Sequence, residues 1–136
     1  MKKTILVTGG TGFIGSHTTV ELQAAGYEVV IIDNLSNSSA SVIDGIEKIS
    51  GQRPAFEQVD CCDFDALEAV FKNDPKIEGI IHFAASKAVG ESVEKPLLYY
   101  RNNLNSLINI LELMPKYDVK GIIFSSSCTV YGQPDP

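Results

Sequence analysis

A chain of 136 residues is about one domain, long enough to bury roughly two-thirds of its unfolded surface and to hold a core without disulfide support. Its 11 Lys and Arg against 17 Asp and Glu give a formal net charge of −6, which speaks against a nucleic-acid partner, since a phosphate backbone asks for a basic surface. Three cysteines, two adjacent (Cys61, Cys62) and one distant (Cys128), make neither a disulfide framework nor a metal-ligand spacing, and no apolar run reaches signal-core or membrane-spanning length, so a cytoplasmic protein with no membrane or metal partner is expected.

Thr4-Ile5-Leu6-Val7 is a β-branched run of the kind that makes a buried strand, expected over 4–8. It leads into the glycine-rich run Val7 to Gly15, after which a helical pattern extends over 13–25. Ile14, Thr18, Leu22 and Ala25, three and four residues apart, read as its sheet-facing side and Gly26 as its terminating cap. A second strand, Glu28-Val29-Val30-Ile31-Ile32, ends at Asp33. The Asn- and Ser-rich loop from Asn34 to Ser41 follows, read as a binding loop rather than a linker. Next come a helix over 40–50, a strand over 55–59 ending at Asp60, a helix over 64–73 and a strand over 79–84. The last helix, over 96–116, carries the stripe Leu104, Leu107, Ile108, Leu111 and Met114, and a strand over 120–125 closes the series. This alternation predicts an α/β fold: a doubly wound parallel (Rossmann) sheet of about five strands in the order 3-2-1-4-5, with helices on both faces, forming one dinucleotide-binding domain over 1–136. In such a sheet the ligand lies beyond the carboxyl ends of the strands.

Two glycine registers fit the turn: Gly10, Gly12 and Gly15 satisfy G-x-G-x-x-G, and Gly9, Gly12 and Gly15 satisfy G-x-x-G-x-x-G. Placed between a strand and a helix, either lets the backbone approach a pyrophosphate at the helix N-terminus, near the amides of Phe13 and Ile14. Asp33 lies about where the fold places an acid that accepts from the adenosine ribose. That acid repels a 2′-phosphate, and with Asn34 rather than Arg beside it NAD is favoured over NADP. Asp60 reads equally as an acceptor for the adenine amino group, with Cys61 supplying an amide, or as a helix cap. Small Ala84 and Ala85 after Phe83 allow close approach to a cofactor. His17 and His82 read as structural, neither having a neighbour suited to acid–base work.

The segments Thr8 to Gly15, Asp33-Asn34-Leu35, His82-Phe83-Ala84-Ala85, Lys87-Ala88-Val89-Gly90-Glu91-Ser92 and Ser125-Ser126-Ser127 together resemble the extended short-chain dehydrogenase/reductase family. The run from Lys87 through Pro96 to Tyr99-Tyr100, then Asn102-Asn103 and Ser125 to Gly132, is most similar to its nucleotide-sugar epimerases, and the resemblance covers the whole chain. It implies an isomerase that interconverts UDP-glucose and UDP-galactose: NAD takes a hydride from C4 of the UDP-hexose, the 4-keto sugar turns over, and the hydride returns to the other face. By position it implies that Ser127 hydrogen-bonds the reacting 4-hydroxyl and that Lys87 and Asn102 contact the cofactor. Asp33, Asn34, Leu35, Ser36, Asn37 and Ser38 would form the adenosine-side loop, with Asp60, Cys61, Phe83 and Ala84 completing the contacts. On residue type alone, three serines in a row equally make a polar loop, and Lys87 a surface charge.

The family's base is a Tyr followed four residues later by a Lys that lowers the phenol pKa. No Tyr-x-x-x-Lys occurs in these 136 residues; Tyr131 lacks the Lys and matches a position that is not the base. The expectation is therefore an incomplete domain that binds NAD without turnover, lacking a substrate domain. The absence of a following helix would leave an apolar patch that favours a homodimer or other self-association. Two rival readings stand beside this one. A 4,6-dehydratase would place an acid shortly after its active-site Ser or Thr, where this chain has Cys128 and Thr129. A non-catalytic NAD sensor would have no chemical reason to keep Ser127 and the Lys87 to Tyr100 run.

Overall fold

The computed structural model describes residues 2–132, with the side chains of 128 and 129 outside the description. Five parallel strands form one sheet in the order β3-β2-β1-β4-β5, the order the alternation predicts: β1 Thr4–Thr8, β2 Glu28–Asp33, β3 Ala55–Gln58, β4 Ile77–His82 and β5 Gly121–Phe124. Val29, Val30, Ile31 and Ile32 of β2 are all buried, the continuous apolar run of a strand covered on both faces. Alternate residues divide between two core layers. Leu6, Val30, Ile32 and Ile80 pack with Leu67, Val70 and Phe71 of helix α3 (Phe64–Asn73) and with Ile110 and Leu113 of helix α5 (Pro96–Lys116). On the other face Val7, Val29 and Ile31 pack with Ile43 and Ile46 of helix α2 (Ser41–Ser50).

Helix α1, Phe13–Ala24, ends as expected at Gly26, whose φ of +91° accompanies bonds from Gly26 N–H to Gln23 O and from Tyr27 N–H to Leu22 O. Its buried side matches the expected one only at Leu22, which packs against the core. Gly15, Thr19 and Gln23 are buried, while Ile14 is 52% exposed. The cause is Gly15: a Cβ there would sit 2.3 Å from Gly9 O, so the helix rests on the glycine turn through its smallest residue, and this rotates Ile14 outward.

Three further features differ from expectation. β4 spans Ile77–His82 rather than 79–84, starting early through an irregular pairing at Thr4 and Ile5 and releasing Phe83 to Ala85 from the sheet. A short helix α4, Val89–Glu94, was not expected; at six residues, with a single apolar pair, Val89 and Val93, that stays exposed, it is too short for periodicity to announce it. In α5 the buried set is Tyr99, Ser106, Ile110 and Leu113; of the expected stripe Met114 packs against the core and Leu107 is half-buried, while Leu104, Ile108 and Leu111 are about half exposed. Among the described residues no helix is long and apolar enough to cross a membrane.

Candidate functional site

Strand register brings the site together. Thr8 stands opposite both Ile32 and His82, and His82 opposite Phe124, so β1, β2, β4 and β5 end at one level. The ladder continues a step beyond them through Gly9 N–H to Ile32 O, Phe83 N–H to Thr8 O and Ser125 N–H to His82 O. Because β1 has β2 on one side and β4 on the other, successive connections leave it in opposite directions and open a crevice at its carboxyl end. A cleft of about 680 Å³ occupies that place, a volume in the range of a small-molecule cofactor site.

The glycine turn forms its floor. Gly9 takes φ +68°, and a Cβ on it would lie 2.8 Å from the backbone nitrogen of Ala84, so the turn and the ledge after β4 touch backbone to backbone. Gly9, Gly12 and Gly15 line the cleft whereas Gly10 sits against Ile31, which selects the G-x-x-G-x-x-G register. Gly12 is the N-cap of α1 and makes no side-chain capping bond, and the first turn carries no acidic residue, so the helix presents an uncompensated positive end to the cleft.

A buried network fixes the ledge. Ala84 N–H donates to Thr8 Oγ1 at 3.1 Å, and Thr8 Oγ1 lies 2.6 Å from His82 Nδ1. The hydroxyl that accepts from Ala84 can give its own proton to Nδ1 when the imidazole is the neutral Nε2–H tautomer. Burial pushes the His82 pKa down to about 4, in keeping with that neutral form, and its ring stacks on Phe124. His82 is thus part of the framework, as the sequence suggested. His17 is exposed on α1, its ring 4.6 Å from that of Phe13.

On the β2 side Asp33 accepts from Leu35 N–H at 2.9 Å, from Ser38 Oγ at 3.3 Å and from Thr11 N–H at 3.3 Å, while Thr11 Oγ1 and Ser38 Oγ lie 2.7 Å apart. This folds the loop after β2 against the glycine turn. Every candidate cofactor residue lines the cleft except Leu35, which turns the chain at φ +59° and contributes its amide to Asp33 instead. Asp60 is not the cap of α3: Asp63 holds that position, accepting from Ala66 N–H at 3.0 Å. Asp60 accepts from Asn34 Nδ2 and Cys62 N–H at the cleft wall. Burial raises the Cys61 thiol to about 12, so it serves as packing rather than as a nucleophile. Ser127 lies beyond β5 and is not part of the wall; its carbonyl accepts from Val130 N–H in the 3₁₀ turn Cys128–Tyr131.

The wall also includes Ile32, Val59, Ser86, Ala88, Leu98 and Ser106, which residue type did not suggest. A signal for two of them was present: Leu98, Asn102 and Ser106 are successive fourth residues on one helix, so a role for Asn102 draws in its neighbours one turn either way.

Residues 5–136 match the NAD dependent epimerase/dehydratase family. The chain is 55% identical over 131 residues to UDP-glucose 4-epimerase uge1 of Schizosaccharomyces pombe, an alignment covering 96% of this chain and 37% of that protein. It is 54% identical over 131 residues to the UDP-glucose 4-epimerase of Bacillus subtilis, covering 96% and 38% respectively. The solved structure of UDP-glucose 4-epimerase from Bifidobacterium longum in complex with NAD+ and UDP aligns with a TM-score of 0.92 at 48% identity, over 98% of this chain and 40% of that one. The chain thus spans about two-fifths of the length of these relatives. With the glycine cradle, the parallel sheet and a match from the first strand onward in agreement, this chain belongs to the NAD dependent epimerase/dehydratase family.

Proposed function

We propose that the cleft holds NAD and that the chain is the cofactor-binding part of a UDP-glucose 4-epimerase, interconverting UDP-glucose and UDP-galactose. The observation that carries the first half is the floor of the cleft: backbone so close that no Cβ fits at Gly9 or Gly15, under the uncapped positive end of α1 and across from Asp33. A diphosphate accepts from the free amides of that helix end, and a ribose diol donates to a carboxylate such as Asp33. The second half draws support from the relatives at 54–55% identity, which are UDP-glucose 4-epimerases.

When bound, NAD supplies a reversible hydride acceptor for C4 of the sugar. The chain's own residues bind and orient. The α1 amides hold the diphosphate, and Asp33 with the Asn34 to Ser38 loop holds the adenosine ribose. Asp60 and Cys61 flank the adenine, Phe83, Ala84 and Ala85 form the ledge, and Lys87 and Asn102 face the nicotinamide half. Ser127 orients the 4-hydroxyl of a UDP-hexose. Cys128 and Thr129 stand where a dehydratase would need an acid, which favours epimerisation over elimination.

Since the 136 residues contain no Tyr-x-x-x-Lys, binding without turnover is expected of them. Calorimetric titration should give 1:1 binding of NAD+, at least about tenfold tighter than NADP+ because Asp33 faces the 2′ position; Asp33→Ala should narrow that ratio. Equal affinity for the two dinucleotides would overturn the placement of the ribose. Conversion of UDP-galactose by this chain at a rate near that of a full-length relative would overturn the assignment as a non-catalytic part.

A further inference from the structure

The strap between β4 and α4, residues 83–88, carries Ala84, Ala85 and Lys87 into the cleft wall, yet it belongs to no strand or helix and leads into a helix with nothing buried. Something has to hold it. At its near end the Thr8 hydroxyl fixes Ala84 N–H. At its middle the partner is Asn103 of α5. Asn103 Oδ1 accepts from Ser86 N–H at 2.8 Å, and Asn103 Nδ2 donates to Ser86 O at 3.1 Å. One carboxamide thus engages both polar groups of a single residue, as a neighbouring strand would. Asn102 adds a third tie, its Nδ2 donating to Ser86 Oγ at 3.1 Å and to Asn103 Oδ1 at 3.0 Å, while Cys62 Sγ–H donates to Asn102.

We propose that Asn103, which is not itself in the cleft wall, is a positioning residue for the cofactor site: by clamping the Ser86 peptide it sets the place from which Lys87 reaches a bound dinucleotide. The chemistry explains the residue type. Only a carboxamide offers an acceptor and a donor side by side in one plane; aspartate keeps the acceptor and loses the donor, leucine loses both, and glutamine is a methylene too long for the same reach. The clamp also orders the neighbouring Asn102 amide, whose two N–H groups are spent on Ser86 and Asn103 and whose oxygen faces the Cys62 thiol. Strap and helix therefore move as one piece, and the Lys87 ammonium is presented without the entropy cost of ordering a loop on binding.

The inference rests on the reading of the cleft as an NAD site, and the experiment separates the two. NAD+ is titrated calorimetrically into the unaltered chain, Asn103→Asp, Asn103→Ala, Lys87→Met and the double variant Asn103→Ala/Lys87→Met, with circular dichroism confirming that each is folded. Asn103→Asp, of equal volume, serves if the alanine variant fails to fold. The expected result is a rise in Kd of about tenfold for Asn103→Asp and Asn103→Ala, shrinking to within about twofold when Lys87 is already Met, because both substitutions then remove one interaction. A generally structural role would weaken binding by the same factor in either background. That additive outcome, or an unchanged Kd in the Asn103 variants, overturns the inference while leaving the NAD reading intact. Failure of the unaltered chain to bind NAD+ overturns the reading and the inference with it.

Discussion

Gly15 and Gly45 show how far one substitution can differ with its surroundings. Both lie in helices, but a Cβ at Gly15 would meet Gly9 O at 2.3 Å and Gly10 Cα at 2.8 Å, backbone atoms that cannot give way, whereas a Cβ at Gly45 meets nothing within 4 Å. Gly45→Ala should therefore raise stability by about 0.5–1 kcal/mol, the ordinary gain from removing a helical glycine. Gly15→Ala should lower it by on the order of 2–4 kcal/mol and abolish NAD+ binding, since α1 must lift off the turn. Urea midpoints for the two variants decide the matter, and two substitutions of the same sign would contradict the packing described. Part of this was legible beforehand. The spacing of the glycines announced the turn, but not that Gly9 rather than Gly10 faces the cleft, because that depends on which glycine backs onto Ile31 of another strand. Leu35 shows a related effect: its neighbours line the cleft, while its own left-handed backbone gives its amide to Asp33.

At the level of elements, strand positions were readable to within two residues; β1 and β2 are the apolar runs of strands covered on both faces, whereas the edge strands β3 and β5 are largely exposed. The faces of α1 and α5 were readable only in part, through Leu22 and Met114, which pack against the core, and α4 was not expected. In α1 contact is made by Gly15 and Thr19, in α5 by Tyr99 and Ser106 as much as by leucines, so an apolar count points the wrong way. The joint between α3 and α5 was equally hidden. Glu68, 8% exposed, receives hydrogen bonds from Lys72 at 2.8 Å and Tyr117 at 3.0 Å, and also from Lys116. These donors, Lys116 foremost and then Lys72, pull its pKa down from 4.5 to about 2. His82 is displaced the same way by burial alone, from 6.5 to about 4. Both shifts make acid destabilising. Between pH 6.5 and 4 the unfolded chain takes up a proton at His82 that the folded chain refuses, and below 4.5 the same holds for Glu68 until about pH 2. Stability should therefore be full near neutrality and fall in two overlapping stages as pH drops, the first amounting to roughly 3 kcal/mol at most. Glu68→Gln should lose stability at pH 7 and flatten the lower stage while leaving the upper one. A urea midpoint that falls as steeply below pH 4 in Glu68→Gln as in the unaltered chain would remove Glu68 from this account.

Over the whole molecule, what stands out is apolar surface without a cover. Along α5, Leu97, Tyr100, Leu104, Ile108 and Leu111 are 71, 65, 53, 49 and 47% exposed. These residues recur every three or four positions over nearly the full length of a 21-residue helix, the pattern of a helix with a second packing partner rather than of scattered surface leucines. The described residues offer none, and the chain's net charge of −6 opposes but does not forbid like-with-like contact. Self-association of the 136-residue chain is the expected outcome. Two copies meeting along α5 would have to bury on the order of 800 Å² each to be stable. Light scattering over a concentration series should show mass rising towards that of a dimer. Leu104→Glu combined with Ile108→Glu should hold the chain monomeric, because each copy would then bring two carboxylates into an apolar contact. These residues lie outside the cleft wall, so the double variant should bind NAD+ as the unaltered chain does. A chain that stays strictly monomeric at high concentration would show that the strip is tolerated in water, and that its periodicity serves a partner other than a second copy.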